Sequence, residues 1–380
     1  MSRTMFYREL TTREEGRLLK WGDAWERRLE LASTYKIGND RERLTAYLSG
    51  EAVFPTTLEL DLTSQCTRSC PECPSSAATS YHALDLPFLD RLFGFLQGRT
   101  PGLLLTGGEP TVAPLFSDAL RLARRRGFRE IAVVTNGSQL DDPVVADALL
   151  QHVTTIRLSI YEWERGCSRW TDATLKRIER LRKRADRDSQ LRIGVSALTS
   201  NHRLDRLAEL AEMVRSAGAH WLYFHPLCTK WGLGSPELAE QDGVTAEILR
   251  LQAAAPPDFR IFFFPSRYQP SPLHFDSYHA AHFLLVIGAD GRNYLGPEVK
   301  YQPEHVICDL RATPVEGFLR GEERQESIRS RRSLDYAPLG SRHRSLLYND
   351  FIELLHQGDP AASAEWEKFS AQGFLFPYIL

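Results

Sequence analysis

The sequence predicts an α/β fold, a partial (βα)6 TIM-like barrel with an N-terminal helical segment before it and a C-terminal α+β cap after it. Between residues 55 and 230, short apolar runs alternate with amphipathic stretches of helical period. Continuous apolar runs are typical of strands buried on both faces, and helices between them indicate a parallel sheet covered by helices. The alternation stops after residue 230, where loop-like segments and a hairpin pattern follow. We therefore expect three regions, 1–54, 55–230 and 231–380.

The expected strands of the barrel are its apolar runs, at 57–63, 103–108, 131–137, 155–161, 191–198 and 220–227. Helices are expected between them, near 86–98, 113–127, 141–151, 169–186 and 203–217. Each strand and its following helix form one βα unit, so the pattern indicates an incomplete version of the eight-unit barrel.

The regions on either side of the barrel have weaker patterns. Residues 12–49 have a helical pattern that stops at Gly50, with Asn39 or Asp40 as the N-cap of its second half. In the C-terminal region, "RIFFFP" at 260–265 predicts a strand. A β-hairpin that turns at Asp290-Gly291 is predicted by "HFLLVIGADGRNYLG" at 282–296. The last fifty residues combine arginine-rich helix with an apolar end, "GFLFPYIL".

Composition and charge exclude several classes of protein. The 380 residues carry a formal net charge of −2, so neither nucleic acid nor an anionic membrane is an expected partner. No run approaches eighteen apolar residues, and the N-terminus lacks the apolar core of a signal peptide. We expect a cytoplasmic protein, in which thiols stay reduced and clustered cysteines bind metal more often than they form disulfides.

Three cysteines follow the first predicted strand within eight residues, in "CTRSCPEC". Cys66, Cys70 and Cys73 have the spacing C-x3-C-x2-C. A structural zinc ion is one interpretation; zinc takes four ligands, typically in two pairs, and no second pair exists here, although His82 could supply the fourth ligand. The other interpretation is a four-iron cluster held by three thiolates, which leaves one iron open to a small molecule.

The cysteine spacing resembles that of the radical S-adenosylmethionine (SAM) superfamily, and a second motif strengthens the resemblance. The second predicted strand ends in "TGGEP" (106–110), which looks like the glycine-glycine-glutamate motif of that superfamily. The resemblance covers residues 55 to about 230 and implies one [4Fe-4S] cluster on the three cysteines, with SAM chelating the open iron. It also implies that Gly107 and Gly108 let the backbone approach the methionine amine without a Cβ in the way. Glu109 would supply carboxylate charge and Pro110 would fix the turn.

The resemblance implies further SAM contacts and a radical reaction. Asn136, Ser159 and Ser196, at the ends of strands three and four and on strand five, are the expected further contacts. One electron from an external donor of flavodoxin or ferredoxin type reduces the cluster, SAM is cleaved, and the resulting 5′-deoxyadenosyl radical abstracts a hydrogen atom from substrate. One departure is Glu72, which stands where the superfamily often has an apolar or aromatic residue before the third cysteine.

The predicted hairpin resembles the SPASM or twitch extension of that superfamily, but without its cluster. Gly296 stands where a cysteine is expected. Two lone cysteines are candidate hydrogen-atom donors to a substrate radical. Cys308 is preferred because its region should close over the open end of the barrel, and Cys228 follows strand six. The alternative for each is a buried small apolar residue. Cys167 is assigned a structural role.

The sequence indicates the substrate only by class. A mixture of aromatic and hydrogen-bonding residues suits a sugar or aminocyclitol moiety of a natural product, as in antibiotic biosynthesis; the residues are Tyr161, Trp163, Trp231, Tyr278, Tyr294, His225, His274, His279, His282 and Glu298. The preferred reaction is epimerisation of a hydroxyl-bearing carbon, with a cysteine as hydrogen donor. A deoxygenase or dehydratase, or a dehydrogenase, acting on a similar sugar is the alternative. A non-catalytic metal-binding interaction protein is the alternative from another class.

Overall fold

The computed structural model describes residues 36–70, 73, 75, 78–161, 168–185, 189–199, 204, 206–226, 228–229, 232–233, 241–263, 275–319, 321–332, 336, 345–370 and 378–380. The first part of the predicted N-terminal helical segment, up to residue 35, lies outside the described residues. So do Glu72, Trp163, Cys167, Trp231 and His274.

The described strands form one large sheet and one short hairpin. Their bounds are β1 (Thr57–Asp61), β2 (Gly102–Thr106), β3 (Glu130–Thr135), β4 (Thr155–Ile160), β5 (Arg192–Thr199), β6 (Trp221–Pro226), β7 (Cys228–Thr229), β8 (Gly232–Leu233), β9 (Arg260–Phe262), β10 (Leu284–Ile287), β11 (Arg292–Tyr294) and β12 (Val306–Asp309). Within the described residues the large sheet has the order β12-β11-β10-β1-β2-β3-β4-β5-β6-β9. Strands β1 to β6 are neighbours in chain order and all pair in parallel. The mostly parallel sheet of a partial barrel is confirmed.

The described helices between the barrel strands lie where the amphipathic stretches predict them, whereas the helix Gln241–Ala254 falls in a region where none is predicted. The bounds of the described helices are α1 (Arg41–Leu48), α2 (Leu86–Leu96), α3 (Phe116–Arg125), α4 (Pro143–His152), α5 (Ser168–Arg184), α6 (Leu207–Ser216), α7 (Gln241–Ala254), α8 (Ala280–Phe283), α9 (Val315–Phe318), α10 (Glu322–Arg329), α11 (Leu346–His356) and α12 (Pro360–Ser370). The start of α1 follows the predicted N-cap, because the Asp40 carboxylate accepts the Arg43 N–H at 3.1 Å. Gly50, with φ of +88°, follows the end of this helix.

The sheet has an apolar outer face and a mixed inner face. On β1, Leu58 and Leu60 point outward into the main core, where Phe88 and Leu92 of α2 meet them. Because side chains alternate along a strand, the residues between them point inward. The lower part of the interior is filled by an aromatic cluster of Trp221, Tyr223 and Phe262. Polar side chains therefore collect nearer the carboxyl ends of the strands, where functional sites of such barrels lie.

The C-terminal strands extend the barrel sheet. β10 pairs in parallel with β1, and β9 pairs in parallel with β6. The predicted hairpin forms, with Gly291 at φ +82° in its turn, but its strands continue the sheet outward from β1. Our expectation that this region closes over the open end of the barrel is therefore wrong for β10 to β12. The division of the chain at residue 230 stays a prediction.

The last described residues lie at the opposite end of the barrel from the cysteines. The carbonyl of Tyr378 accepts the Thr57 hydroxyl at 2.7 Å, and the Leu380 N–H donates to the same hydroxyl oxygen at 3.1 Å. A Cβ on Gly102 would lie 1.9 Å from that Tyr378 carbonyl oxygen, so the chain end packs against the beginning of β2. Within the described residues, no helix is both long and apolar enough to cross a bilayer.

Candidate functional site

The cysteines lie on a loop whose two ends are held together beside β1. The Ser64 N–H donates to the His82 carbonyl at 3.0 Å, and the Leu84 N–H donates to the Leu62 carbonyl at 3.1 Å. These bonds close the segment 64–82 at the carboxyl end of β1. Cys66 is exposed, whereas Cys70 and Cys73 are half-buried. The loop therefore presents its thiols at the end of the barrel where the predicted site lies.

Backbone and side-chain N–H groups point at the Cys66 sulfur. The Arg68 N–H lies 3.4 Å from Sγ, and the Asn136 amide nitrogen lies 3.7 Å from it. Although Cys66 is exposed as a residue, partial desolvation of its sulfur by neighbouring groups raises the pKa of the thiol; charge on Glu109 and Cys73 raises this pKa further, whereas the two N–H donors lower it. Hydrogen bonds to cluster sulfurs and partial burial are the means by which proteins tune iron–sulfur clusters. Such donors at Cys66, on the same loop as Cys70 and Cys73, fit a cluster held by the three thiolates.

The zinc alternative requires the three cysteines and His82 to converge on one point. In the part of the chain that the structure describes, no three His, Cys, Asp or Glu side chains, the cysteines included, form a group that could hold a single metal ion. His82, the expected fourth ligand, has its Nε2 2.8 Å from the Ser80 hydroxyl, and its ring stacks on Tyr301. A single zinc ion needs four ligands to meet at one point. The thiolates of an iron–sulfur cluster bind different irons, so they need not converge in this way.

The two glycines of "TGGEP" pack against the cysteine loop itself. The Gly108 N–H donates to the Thr63 carbonyl at 3.0 Å, and a Cβ on Gly108 would lie 2.1 Å from the Gln65 carbonyl oxygen. Gly107 has φ of +111°, and its Cβ would lie 2.7 Å from Asp61 Cβ. The chain's own backbone and Asp61 occupy the space of these Cβ atoms, so glycine is required there for packing. Our expectation that the two glycines also let the backbone approach a ligand amine stays a prediction.

Glu109 is buried and fully engaged by the protein. It is 1% exposed; its Oε1 accepts the Thr135 hydroxyl at 2.6 Å and the Thr111 N–H at 3.1 Å, and its Oε2 accepts the Asn136 N–H at 2.7 Å. Its own N–H donates to the Gln65 carbonyl at 2.7 Å. The carboxylate therefore ties the end of β2 to the end of β3. Pro110 is buried and begins the 3-10 turn Pro110–Val112.

Asn136 completes a junction of three strand ends. Its side-chain NH2 donates to the Thr67 hydroxyl at 3.0 Å, and its carbonyl accepts from the Arg68 guanidinium at 3.3 Å. The Ser75 hydroxyl on the other side of the cysteine loop donates to the Gly107 carbonyl at 2.7 Å. The structure thus brings together four of the predicted motifs or residues: the cysteine loop, the two glycines, Glu109 and Asn136.

Ser159 and Ser196 lie side by side on the inner face of the barrel. They are register partners on β4 and β5, and their strand neighbours point into the outer core. Ser196 is 1% exposed, and its hydroxyl shares a hydrogen bond of 2.9 Å with His225 Nε2. The His225 ring lies 5.7 Å from the Tyr161 ring and 5.1 Å from the Tyr223 ring. Hydroxyl, imidazole and aromatic groups therefore meet near the carboxyl ends of β4 to β6.

The structure corrects the expected placement of Cys308 on the active face. Cys308 is the register partner of Asn293, which pairs with Ile287, which pairs with Leu60. Residues directly opposite one another in a sheet share a face, and Leu60 and Ile287 belong to the outer core. Cys308 packs against that core and lies three strands from β1, on the face opposite the two serines.

Other predicted residues divide between the site and the C-terminal core. The backbone of Cys228 lies in β7, directly after β6 at the carboxyl end of the barrel. His279 instead bonds Tyr47 and Glu353, each at 2.7 Å. Tyr278 packs in the second apolar core, around Phe283 and Phe351. His282 and Glu298 are also buried, and Tyr294 packs on the inner face beside Val286. The aromatic and histidine residues expected to bind a sugar therefore do not form one group.

Sequence reasoning missed a buried charged group on the inner face of β1. The Lys300 ammonium lies 2.6 Å from Asp61 Oδ1 and 3.2 Å from Glu59 Oε1, and the Tyr301 hydroxyl donates to Asp61 Oδ2 at 2.7 Å. The available signal was the alternation in "LELDL", since two acids inside a buried strand require a cation. Lys300, far away in sequence, could not be paired with them from the pattern.

Comparisons with known proteins show the fold. The sequence matches no protein-family model. SuiB of Streptococcus suis bound to S-adenosylmethionine matches with a TM-score of 0.59 and 14% identity, over 77% of this chain and 72% of that chain. anSMEcpe with bound AdoMet and Cp18Cys peptide matches with a TM-score of 0.52 and 12% identity, over 82% of this chain and 99% of that chain.

One curated protein matches in sequence over a short stretch. It is a 7,8-dihydro-6-hydroxymethylpterin dimethyltransferase of Methanocaldococcus jannaschii, 34% identical over 86 residues. The match spans 21% of this chain and 17% of the length of that relative. SuiB and anSMEcpe are radical SAM enzymes. The chain therefore has the radical SAM fold, with its mostly parallel sheet in an incomplete barrel.

Proposed function

We propose that this chain is a radical SAM enzyme that holds one [4Fe-4S] cluster on Cys66, Cys70 and Cys73 and binds SAM beside it. The observation that carries the proposal is the interlock between the cysteine loop and the "TGGEP" turn. The Glu109 N–H donates to the Gln65 carbonyl of that loop, the Gly108 N–H donates to the Thr63 carbonyl just before it, and the gap between the two segments excludes even a Cβ. In this proposal the thiolates that hold the cluster and the turn that binds SAM therefore belong to one unit.

The residues of the chain have separable tasks in this proposal. Arg68 and Asn136 donate toward the Cys66 sulfur and would stabilise its thiolate. Glu109 holds the three strand ends in register. When bound and reduced, the cluster supplies the electron that cleaves SAM to methionine and a 5′-deoxyadenosyl radical. The inner face must then orient a substrate C–H bond and exclude water and stray hydrogen donors.

The inner face supports a hydroxyl-bearing small molecule as the substrate. Ser159, Ser196 and His225 offer hydrogen bonds, and Tyr161 offers an aromatic face, all near the carboxyl ends of three adjacent strands. Such a mixture suits a sugar or aminocyclitol, in line with the substrate class that the sequence indicates. We propose hydrogen-atom abstraction from a hydroxyl-bearing carbon of this substrate as the reaction.

We propose that the substrate radical completes an epimerisation, as the sequence indicates, but that its hydrogen atom comes from a different cysteine. Cys228 follows β6 at the carboxyl end of the barrel, whereas Cys308 lies on the other face of the sheet. We therefore propose Cys228 as the thiol that gives a hydrogen atom to the substrate radical. The resulting thiyl radical takes one electron and one proton, supplied by the external flavodoxin-type or ferredoxin-type donor and by water.

The Ser196–His225 hydrogen bond favours a second candidate, a deoxygenase or dehydratase. A histidine on the inner face could protonate a departing hydroxyl group, and this reaction needs no thiol. A net two-electron oxidation by a dehydrogenase is less favoured, because the sequence offers cysteines for one cluster only. A peptide is the alternative substrate class, since SuiB has been solved with precursor peptide SuiA and anSMEcpe with Cp18Cys peptide.

One experiment tests the epimerase, deoxygenase and radical SAM proposals together. The anaerobically reconstituted and reduced enzyme is incubated in deuterated water with SAM and a panel of aminoglycosides, and products are analysed by mass and by label position. Epimerisation predicts product of unchanged mass apart from one carbon-bound deuterium, because a thiol exchanges with solvent. Deoxygenation predicts loss of one oxygen. Failure of the reconstituted protein to produce 5′-deoxyadenosine under any condition would contradict the radical SAM proposal itself.

A further inference from the structure

We infer that Lys300 is a positioning residue that holds Asp61 and, through it, sets the Gly107 turn of the SAM site. Lys300 belongs to the segment after the C-terminal hairpin, far in sequence from the cysteines and from "TGGEP". This inference rests on the proposed function, because it assigns Lys300 a role in binding SAM. It differs from a purely structural role in predicting a loss of SAM affinity without a loss of cluster.

The charged group around Lys300 is removed from water. The side chains of Lys300, Glu59 and Asp61 are 4%, 3% and 0% exposed. The ammonium lies 2.6 Å from Asp61 Oδ1 and 3.2 Å from Glu59 Oε1. Two carboxylates buried on adjacent inward positions of one strand repel one another, so removal of the ammonium would leave them uncompensated. Lys300 therefore determines where the Asp61 carboxylate lies.

Both oxygens of Asp61 are held from the C-terminal segment. Lys300 takes Oδ1, and the Tyr301 hydroxyl donates to Oδ2 at 2.7 Å. Tyr301 has φ of 64°, the one left-handed conformation of a non-glycine residue within the described part of the chain. Such conformations persist where the surroundings over-determine them, often at functional sites. The backbone strain at Tyr301 places two successive side chains on the same carboxylate.

Asp61 in turn forms the wall on which the "TGGEP" turn rests. A Cβ on Gly107 would lie 2.7 Å from Asp61 Cβ and 2.8 Å from Asp61 Cγ. The turn and the Asp61 side chain are thus in contact, with no room for either to move toward the other. A rotated Asp61 side chain would displace Gly107. The described contacts of Gly107 with the chain around the cysteines are made by the Thr63 carbonyl and the Ser75 hydroxyl and not by a thiol, so we expect the thiols to stay in place.

The test measures SAM affinity and iron content of the reconstituted enzyme for Lys300→Met and for a control, Lys36→Met. Lys36 is also a buried lysine, and its ammonium bonds the Ile379 carbonyl away from the site. We expect Lys300→Met to weaken SAM binding about ten-fold or more, the equivalent of one hydrogen bond to a charged group. Iron content should equal that of wild type. Lys36→Met should leave SAM affinity unchanged.

A milder pair of variants covers the case in which Lys300→Met fails to fold. Tyr301→Phe removes one hydrogen bond to Asp61, and Tyr294→Phe removes the matching bond to Asp290 at 2.6 Å, which does not involve Asp61. Weaker SAM binding in Tyr301→Phe alone supports the inference. Equal SAM affinity in all four variants and wild type overturns it while leaving the proposed function intact. A wild-type protein that holds its cluster but binds no SAM overturns both.

Discussion

Replacing Gly108 by alanine should weaken SAM binding and cluster incorporation together, because this residue is where the two sites touch. An alanine Cβ at this position would lie 2.1 Å from the Gln65 carbonyl oxygen and 2.6 Å from the Ser64 carbonyl oxygen. Backbone atoms cannot swing aside as the end of a long side chain can. The "TGGEP" turn and the cysteine loop must therefore separate by roughly 1 Å to reach ordinary contact distance.

The magnitude follows from the hydrogen bonds that such a separation breaks. The Glu109 N–H donates to the Gln65 carbonyl at 2.7 Å, and the Gly108 N–H donates to the Thr63 carbonyl at 3.0 Å. Each contributes about 0.5–1.5 kcal/mol net, so losing both costs about 1–3 kcal/mol of the ordered site. If the whole of this free-energy loss appears in SAM binding, the affinity for SAM falls roughly 5- to 150-fold. Cluster occupancy falls as well, since the same separation moves the loop.

The assay is SAM titration of the anaerobically reconstituted protein, with iron content measured on the same sample. The matched control is Gly317→Ala, because Gly317 lies in α9 with nothing within 4 Å of its added Cβ. The control should retain wild-type iron content and SAM affinity. Wild-type values of both in Gly108→Ala would refute the reasoning, since the interlock would then not be needed for either site.

Three further predictions concern the cluster, the junction and the acid limit of stability. Wild-type protein should hold about four irons per chain. Alanine at Cys66, Cys70 or Cys73 should abolish both this iron content and SAM cleavage. About eight irons per chain in wild type would contradict a single cluster. Glu109→Gln should weaken SAM binding, because either orientation of the new amide places its NH2 against a backbone N–H. The two donors cannot bond each other, and the unsatisfied buried group costs about 1–3 kcal/mol. Unchanged SAM titrations would mean that the carboxylate is dispensable. Burial lowers the pKa of His220 from 6.5 to about 4. The unfolded chain therefore binds a proton that the folded protein does not, and stability should fall by about 1–3 kcal/mol as pH drops from 6.5 to 4, the lower figure allowing for solvent screening of the half-buried ring. Chemical denaturation should show this loss of stability in wild type and not in His220→Asn, whose side-chain carbonyl keeps an acceptor for the neighbouring strand. An equal dependence of unfolding free energy on pH in the two proteins would reject this prediction.

The barrel could be predicted from sequence because each of its signals is local. The apolar runs that became β1 to β6 are continuous, since helices cover one face and the other lines a filled interior. The boundaries of α2 follow from Asp85, whose carboxylate accepts the Phe88 N–H at 2.8 Å, and from apolar positions spaced as a helix requires. Motifs at the ends of β1 and β2 then had to lie together, because adjacent parallel strands end at one edge.

What the sequence did not reveal depends on contacts between distant segments. A hairpin pattern predicts pairing between β10 and β11, but it does not say which edge of a larger sheet they join. The pairing of β10 with β1 placed Cys308 on the outer face. Similarly, glycine in "TGGEP" signals a close approach without saying what approaches. At Gly108 the approaching group is the backbone carbonyl of Gln65 in the cysteine loop.

The same pairing bears on whether residues 55–230 can fold alone, as the predicted boundary suggests. In the complete chain β1 pairs with β10 as well as β2, and Lys300 neutralises the acids at Glu59 and Asp61. Ending the chain after residue 230 would expose the β1 edge and leave two carboxylates in an apolar interior without their cation. We expect such a truncated chain to lack a cooperative thermal transition and to expose apolar surface to dye.

The contribution of charge to that failure can be separated from the contribution of the lost edge. In the truncated chain, changing Glu59 and Asp61 to the corresponding amides removes the repulsion but leaves β1 unpaired. If the charges dominate, the amide variant should recover a cooperative transition. If it does not, strand pairing is what the C-terminal segment provides. A truncated wild-type sequence that melts cooperatively near the temperature of the full chain would show that the barrel is independent, and that β10 to β12 merely attach to it.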